Sequence, residues 1–284
     1  MYKIIIDSCG EIPQNLKQDG RFVNVPLTLE INGEDIIDDE TFDQASFLEK
    51  VAKSPTGPKS ACPSPASYMK AMEGDADHIY VITLSAQLSG SYNSAVLAKS
   101  LYEEELEDED EDREVLIHVF DSKSASIGQT LIGMKIAELE EAGCSFEKVV
   151  EQTDAYIAEQ HTFFVLETLE TLRKAGRLSN LKAMIAGTLN IKPIMGSTDE
   201  GSIQQLGQAR GMAKALDKMV ECLVATAIHP EKKILAISHC NAPQAAEQLK
   251  QRALKACSFK DVFVIDTQGV SSMYANDGGL IMVL

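Results

Sequence analysis

Three hydroxyl-rich segments each follow an apolar run typical of a β-strand. Serine and glycine there offer hydroxyl and backbone N–H donors, which is the chemistry needed to hold a small anion. If the strands pair in parallel, the segments meet at one sheet edge, where open α/β sheets bind ligands. The alternative for each serine is a helix N-cap, but three converging segments favour a site. The segments are Asp7-Ser8, residues 83–91 and residues 121–124.

A proline-rich stretch, residues 54–65, adds further hydroxyl groups. Its four prolines and one glycine predict a loop, stiffened so that Ser60 could face the same crevice. The alternative is that the stretch only caps the helix predicted after Pro65, a role that suits Ser64.

The elements that must position these segments alternate between strand and helix, which indicates an α/β fold with a parallel sheet in the first half. Helices are predicted over residues 41–53, capped by Thr41, and over residues 92–102 and 126–142. The second half continues with a helix over 146–160, a mostly helical stretch over 167–186 broken near Gly176, and a mixture of strands and helices. We expect two closely packed lobes, residues 1–157 and residues 158–284.

Charge excludes some partners and leaves others open. The chain of 284 residues has a formal net charge of −17, which argues against nucleic acid. Residues 103–114 contain ten acids and one arginine, so they form either a solvated surface insertion or a docking segment for a basic partner. By contrast, residues 173–192 contain five cations and no acid, which suggests an anion nearby, with Arg177 best placed to reach it.

No apolar run approaches the ~18 residues that a membrane span needs. The N-terminus lacks the features of a signal peptide, so we expect a cytoplasmic protein with reduced thiols and no stable membrane insertion.

The motifs of several enzyme and metal sites are missing. The sequence has no phosphate loop, dinucleotide fingerprint or nucleophile elbow, and its histidines and cysteines lack metal-ligand spacing. No metal or cofactor is therefore expected. One enzymatic alternative stays open: a small-molecule hydrolase or phosphotransferase that uses the neighbours His239 and Cys240, or Asp7.

Six motifs in register resemble the DegV family over nearly the whole chain. Each is weak alone, but together they are specific. They are I4-I-I-D-S8, S60-A-C-P-S-P65, L88-S-G-S-Y-N-S-A95, V119-F-D-S122, L172-R-K-A-G-R-L-S179 and L189-N-I-K-P-I194.

The resemblance implies a two-lobed α/β protein that is not an enzyme. It would bind one long-chain fatty acid between its lobes and present the carboxylate to a separate fatty acid kinase. The family's carboxylate-binding hydroxyls fall on Ser60, a serine where threonine is usual, and on Ser89. Further ligand or partner contacts are expected at Gly90, Ser91, Arg177, His239 and Tyr274.

The chain departs from the family near its C-terminus. Tyr274 stands where the family has a histidine, and the neighbouring proline is missing. If that histidine assists phosphoryl transfer or kinase docking, this chain would bind lipid without serving a kinase. Apolar residues around Ile127, Leu131 and Ile132, and around Met184, Ile185 and Leu189, are candidate walls for the acyl chain.

Overall fold

The computed structural model describes residues 1–108, 115–178 and 190–284. Its strands are β1 (Tyr2–Asp7), β2 (Phe22–Val25), β3 (Thr28–Ile31), β4 (Glu34–Ile37), β5 (Lys59–Ala61), β6 (His78–Thr83), β7 (Leu116–Asp121), β8 (Thr162–Val165), β9 (Ile191–Ser197), β10 (Ile203–Arg210), β11 (Ile234–His239), β12 (Asp261–Asp266) and β13 (Leu280–Val283). Its helices are α1 (Gln14–Lys17), α2 (Gln44–Lys53), α3 (Pro65–Met72), α4 (Ser91–Asp108), α5 (Ile127–Glu141), α6 (Phe146–Ala158), α7 (Glu170–Lys174), α8 (Met212–Thr226), α9 (Pro243–Ala256) and α10 (Gly269–Ala275).

The first half forms a parallel sheet in the order β2-β1-β6-β7. Ile4, Ile5 and Ile6 of β1 are completely buried, because helices cover both faces of the sheet and enclose the middle of this strand from both sides. Helices α5 and α6 pack on one face, and α3 and α4 on the other. The carboxyl ends of β1, β6 and β7 therefore lie side by side, as the sequence predicts.

The second half forms a mixed sheet in the order β10-β9-β8-β13-β11-β12. Only β11 and β12 pair in parallel, and the other neighbours are antiparallel. Helices α8 and α9 cover one face. Ile127 and Leu131 of α5 pack against Ala236 and Val283 on the other, so α5 is shared by both sheets. The predicted two-lobed α/β architecture is confirmed.

The predicted lobe boundary, between residues 157 and 158, falls at the C-terminal end of α6, where the chain leaves the first sheet for the second. The packing does not follow that boundary throughout. Val270 and Met273 of α10 pack against Leu29 and Phe47 in the first half. The last part of the chain thus returns to the first.

Several sequence predictions need correction. The stretch 54–65 is not entirely a loop, because β5 pairs antiparallel with β3 in a small sheet of order β4-β3-β5. Asp43, rather than Thr41, caps α2 by accepting a hydrogen bond from the Ser46 amide. The elements α1, α10 and β13 were not predicted.

Two predicted segments fall partly outside the described residues. Of the helix expected over 167–186, α7 covers only the first part and gives way to a turn at Gly176, whose φ of 76° favours glycine. Met184, Ile185, Leu189 and Lys182 lie outside the described residues. The acidic segment begins within α4, which extends to Asp108, and residues 109–114 are also outside. Within the described ranges, no helix is long and apolar enough to cross a bilayer.

Candidate functional site

A cavity of about 380 Å³ lies between the two main sheets. Its size falls within the ~300–1,000 Å³ typical of small-molecule sites. Most of its walls are apolar, and we call this part the interior: Leu27, Leu84, Phe164, Leu166, Leu172, Ile203, Val270, Ala275 and Ile281. One end, which we call the mouth, includes exposed residues and carries polar side chains: Ser60, Cys62, Ser89, Gly90, Arg177 and Tyr274.

Ser89 reaches the mouth because the turn after β6 leads directly into α4. Its hydroxyl accepts a hydrogen bond from the Ser91 amide (3.2 Å) and lies 3.1 Å from the Ser91 hydroxyl. The hydrogen bond from the Ser91 amide uses an acceptor position of the Ser89 hydroxyl oxygen. The proton of the Ser89 hydroxyl is left available to a ligand. The N-terminal end of α4, with its partial positive charge, adjoins the mouth and favours an anion there.

Ser60 enters the mouth from β5. Its hydroxyl lies 3.1 Å from the Tyr274 hydroxyl, and either group can be the donor. The Ser60 loop is tied to α4 because the Ser94 hydroxyl donates to the Pro63 carbonyl at 2.6 Å. Gly90 permits the close approach of the two loops, since a Cβ there would lie 3.2 Å from Cys62 Sγ.

Arg177 provides a cation at the mouth of an otherwise acidic protein. Its Nε donates to the Leu88 carbonyl at 3.2 Å, and its guanidinium lies 5.9 Å from the centroid of the Tyr274 ring. Ser60 contacts Tyr274, and the Tyr274 ring lies next to Arg177. Arg177 in turn bonds to the segment that carries Ser89. The structure therefore brings these four side chains to one end of one cavity, which suits a carboxylate.

The other predicted site residues lie elsewhere. Ser91 is buried behind Ser89 and does not line the cavity. His239 is 5% exposed and also lies outside the lining, with its Nδ1 3.2 Å from Asp266. Burial lowers the pKa of His239.

The residues of the enzymatic alternative do not reach the cavity either. Cys240 is fully buried among apolar side chains, and burial raises the pKa of its thiol. Asp7 is also fully buried, and its carboxylate accepts hydrogen bonds from the Leu84 amide (2.8 Å) and the Gln129 side chain (2.9 Å). Both residues have structural roles in this arrangement.

Ser124 belongs to a segment that the sequence predicted at this edge, but sequence reasoning missed several other residues that surround the cavity. The hydroxyls of Ser124 and Thr162 lie 2.6 Å apart and join the two halves along its wall. The Ser126 hydroxyl, also in the wall, donates to Glu11 at 2.7 Å. The partners Thr162 and Glu11 come from distant parts of the chain, so local sequence carried no signal for them. The Ile127, Leu131 and Ile132 side chains, expected in the wall, pack in the cores instead.

Glu11 lies behind this wall, as the partner of Ser126, and Gly201 is part of the wall. Glu11 is fully buried, one of its carboxylate oxygens has no described partner, and burial raises its pKa to about 7. At Gly201, in the turn between β9 and β10, a Cβ would lie 2.4 Å from Ser85 Oγ and 2.8 Å from Lys123 Cα. The sequence Asp199-Glu200-Gly201 is a turn signal typical of a hairpin, but it does not indicate this contact between the halves. Within the described ranges, no group of three or more potential ligands is arranged to hold a metal.

Comparison with known proteins identifies relatives over the whole chain. A family model described as "Uncharacterised protein, DegV family" matches residues 1–282. A DegV domain-containing protein of Streptococcus pneumoniae R6 is 36% identical over 261 residues, which are 92% of this chain and 90% of that protein.

Solved structures share both the fold and substantial identity. A DegV family protein from Ruminococcus gnavus, refined with vaccenic acid, is 51% identical with a TM-score of 0.95, and the match covers 100% of this chain and 99% of that one. The Fatty Acid Kinase (Fak) B3 protein of Streptococcus pneumoniae, loaded with linoleic acid, is 34% identical with a TM-score of 0.87, and the match covers 100% and 98% of the two chains.

Proposed function

The chain belongs to the DegV family, and from that premise we propose that it binds one long-chain fatty acid and presents the carboxylate to a separate fatty acid kinase. The acyl chain occupies the interior, and the hydroxyls of Ser60 and Ser89 hold the carboxylate at the mouth. Arg177 adds a favourable charge. The protein acts as a binding subunit, and the reaction takes place on the partner.

One observation carries the proposal. Ser60 and Ser89 come from separate loops, yet both line the polar end of a cavity whose other walls are mostly apolar. This division matches a ligand with one charged end and a long hydrocarbon tail. The fatty acids in the Ruminococcus gnavus and Streptococcus pneumoniae relatives support the same ligand class.

The energetics favour this ligand. Each buried methylene contributes about 0.8 kcal/mol, so a chain of about sixteen carbons contributes on the order of 10 kcal/mol. Hydrogen bonds to a charged group add about 1.5–3 kcal/mol each. The polar groups at the mouth therefore determine the orientation of the ligand more than the total affinity.

The proposal extends to the partner and the compartment. A kinase needs the carboxylate exposed, and the mouth includes the exposed residues Cys62 and Gly90. Because such a kinase uses ATP, we place the complex in the cytoplasm. Tyr274, at the position of the family's histidine, keeps a hydroxyl in contact with Ser60, so the headgroup site retains a polar group at that position.

Denaturing mass spectrometry of the purified protein tests the proposal. We expect one fatty acid per chain in the parent protein. Ser89→Ala should bind added palmitate more weakly by about 1–3 kcal/mol. The control is Ser100→Ala, which removes an exposed hydroxyl of α4 that donates to the Val96 carbonyl. Absence of both a co-purified acid and palmitate binding in the parent would refute the proposal.

A further inference from the structure

Asp38 is a buried carboxylate that the headgroup site does not touch. It is 0% exposed, and three hydrogen bonds satisfy it. The amides of Gly269 and Val270 donate to it at 2.8 and 2.9 Å, and the Ser8 hydroxyl donates at 2.9 Å. Gly269 and Val270 are the first residues of α10, so the carboxylate holds the start of this helix by strong, charge-assisted bonds.

The same residue is part of the small sheet that carries Ser60. Asp38 directly follows β4, and its amide donates to the Leu27 carbonyl at 2.9 Å, which continues the pairing of β3 with β4. The other neighbour of β3 is β5, with Ser60 opposite Leu29. Asp38 therefore connects the sheet that carries one mouth hydroxyl with the helix that carries another.

The close contact depends on a residue without a side chain. A Cβ on Gly269 would lie 2.5 Å from Asp38 Oδ1 and 2.9 Å from Leu29 Cδ1, both shorter than atoms can approach. Gln44 of α2 adds a second attachment, because its Nε2 donates to the Thr267 carbonyl at 2.8 Å and the Ser272 hydroxyl at 3.1 Å. Helix α10 is thus fixed by buried polar contacts rather than by apolar packing alone.

Tyr274 lies five residues beyond Gly269, about 7.5 Å along the helix axis. A displacement of the first residues of α10 therefore also moves the Tyr274 phenol. The Tyr274 hydroxyl lies 3.1 Å from Ser60 Oγ. When the phenol donates to Ser60, the proton of Ser60 is left for the ligand.

On the basis of the proposed function, we infer that Asp38 is a positioning residue for the headgroup site. It holds α10 so that Tyr274 directs the Ser60 hydroxyl towards the carboxylate of the fatty acid. Asp38 itself touches no ligand.

The test compares two ligands that share a tail, palmitate and hexadecanol, since only palmitate has a carboxylate. Each is titrated into delipidated protein. We expect Asp38→Asn to lower the affinity for palmitate about tenfold or more, the effect of one lost hydrogen bond to a charged group, and to leave hexadecanol within about twofold. The control is Asp39→Asn, the next residue, whose carboxylate bonds to Thr41 in a surface turn and should affect neither ligand.

The possible outcomes are distinct. An equal loss for both ligands, or no loss for either, would overturn the positioning role. Failure of the parent to bind either ligand would instead refute the proposed function.

A second set of variants tests the route through Tyr274. If Asp38 acts through Tyr274, the double variant with Asp38→Asn and Tyr274→Phe should have the same preference between acid and alcohol as Tyr274→Phe alone. If the double variant instead lost as much preference for palmitate as the two single variants together, that route would be wrong. Gly269→Ala leaves both side chains intact and should reproduce the selective loss of palmitate. It serves as the independent test if thermal unfolding shows that Asp38→Asn does not fold.

Discussion

The mouth and the interior of the cavity use different physical interactions. The interior offers apolar area, whose contribution grows with each methylene and depends little on direction. The mouth offers hydroxyls and a guanidinium, whose contributions depend on geometry and on the charge of the headgroup. This difference indicates that the affinity for the ligand and the orientation of the ligand depend on different parts of the cavity. A change in the interior should weaken acids and alcohols alike, whereas a change at the mouth should weaken acids alone.

The largest expected effect comes from filling the interior. Ile203 lines the cavity from β10, a strand at the edge of its sheet that can adapt to a larger side chain. Ile203→Trp should displace about five methylenes of the ligand and cost about 4 kcal/mol of binding, for palmitate and hexadecanol equally. Isothermal titration of the delipidated variant measures both ligands.

The control for this change is Gln205→Trp, on an exposed part of the same strand. It should bind both ligands as the parent does. If Ile203→Trp weakened only the acid, the proposed division between mouth and interior would be wrong.

Glu11 lies behind the cavity wall and belongs to neither the mouth nor the interior. A change at Glu11 should therefore affect the stability of the folded protein rather than the affinity for the ligand. Burial raises its pKa from 4.5 to about 7, so its ionised form is disfavoured in the folded protein. Its contribution to stability is full below pH 4.5 and is lost as the pH rises to about 7. Glu11→Gln, which cannot ionise, should therefore gain about 3 kcal/mol relative to the parent between pH 4 and pH 8.

Urea unfolding of the two proteins across this pH range measures the difference. A difference that stayed constant with pH would show that Glu11 is not held in a desolvated environment. Palmitate affinity at pH 8 should be similar in both proteins, because Glu11 is not part of the mouth.

At the mouth, Ser60→Ala should lower the affinity for palmitate by about 2 kcal/mol and leave hexadecanol almost unchanged. The change removes one hydrogen bond to the carboxylate without altering the interior. Ser60→Thr restores the hydroxyl and should bind palmitate nearly as the parent does. Equal losses of acid and alcohol in Ser60→Ala would contradict the assignment, as would a failure of the threonine variant to bind.

The parallel sheet and the loops at its edge could be predicted because their signals are local. Continuous apolar runs such as Ile4-Ile5-Ile6 indicate buried strands, and the hydroxyl-rich turns follow them directly. The same reasoning places the loop of Ser89 at the sheet edge. The proline-rich loop and the local excess of cations also pointed to Ser60 and Arg177, whereas Tyr274 as part of the same site rested on the family resemblance.

The remaining features depend on contacts between distant residues. Asp38 and Gly269 are 231 positions apart, and nothing in either local sequence indicates that one contacts the other. Strand β5 was hidden because its proline-rich surroundings resemble a loop and its pairing is supplied by β3. His239 and Cys240 are neighbours in the sequence. Both are buried, in different surroundings, and neither lines the cavity.

The smallest expected effect at the mouth concerns Arg177. Its guanidinium is half-buried and bonded to backbone carbonyls, so it acts on the ligand mainly through its charge. Arg177→Gln should weaken palmitate by about 1 kcal/mol at low salt, with a smaller loss at high salt and none for hexadecanol. The matched control is Arg173→Gln, an exposed cation of the same segment that pairs with Glu170. A loss that did not depend on salt would assign Arg177 to packing against Tyr274, and the mouth would then distinguish the carboxylate through hydroxyl groups alone.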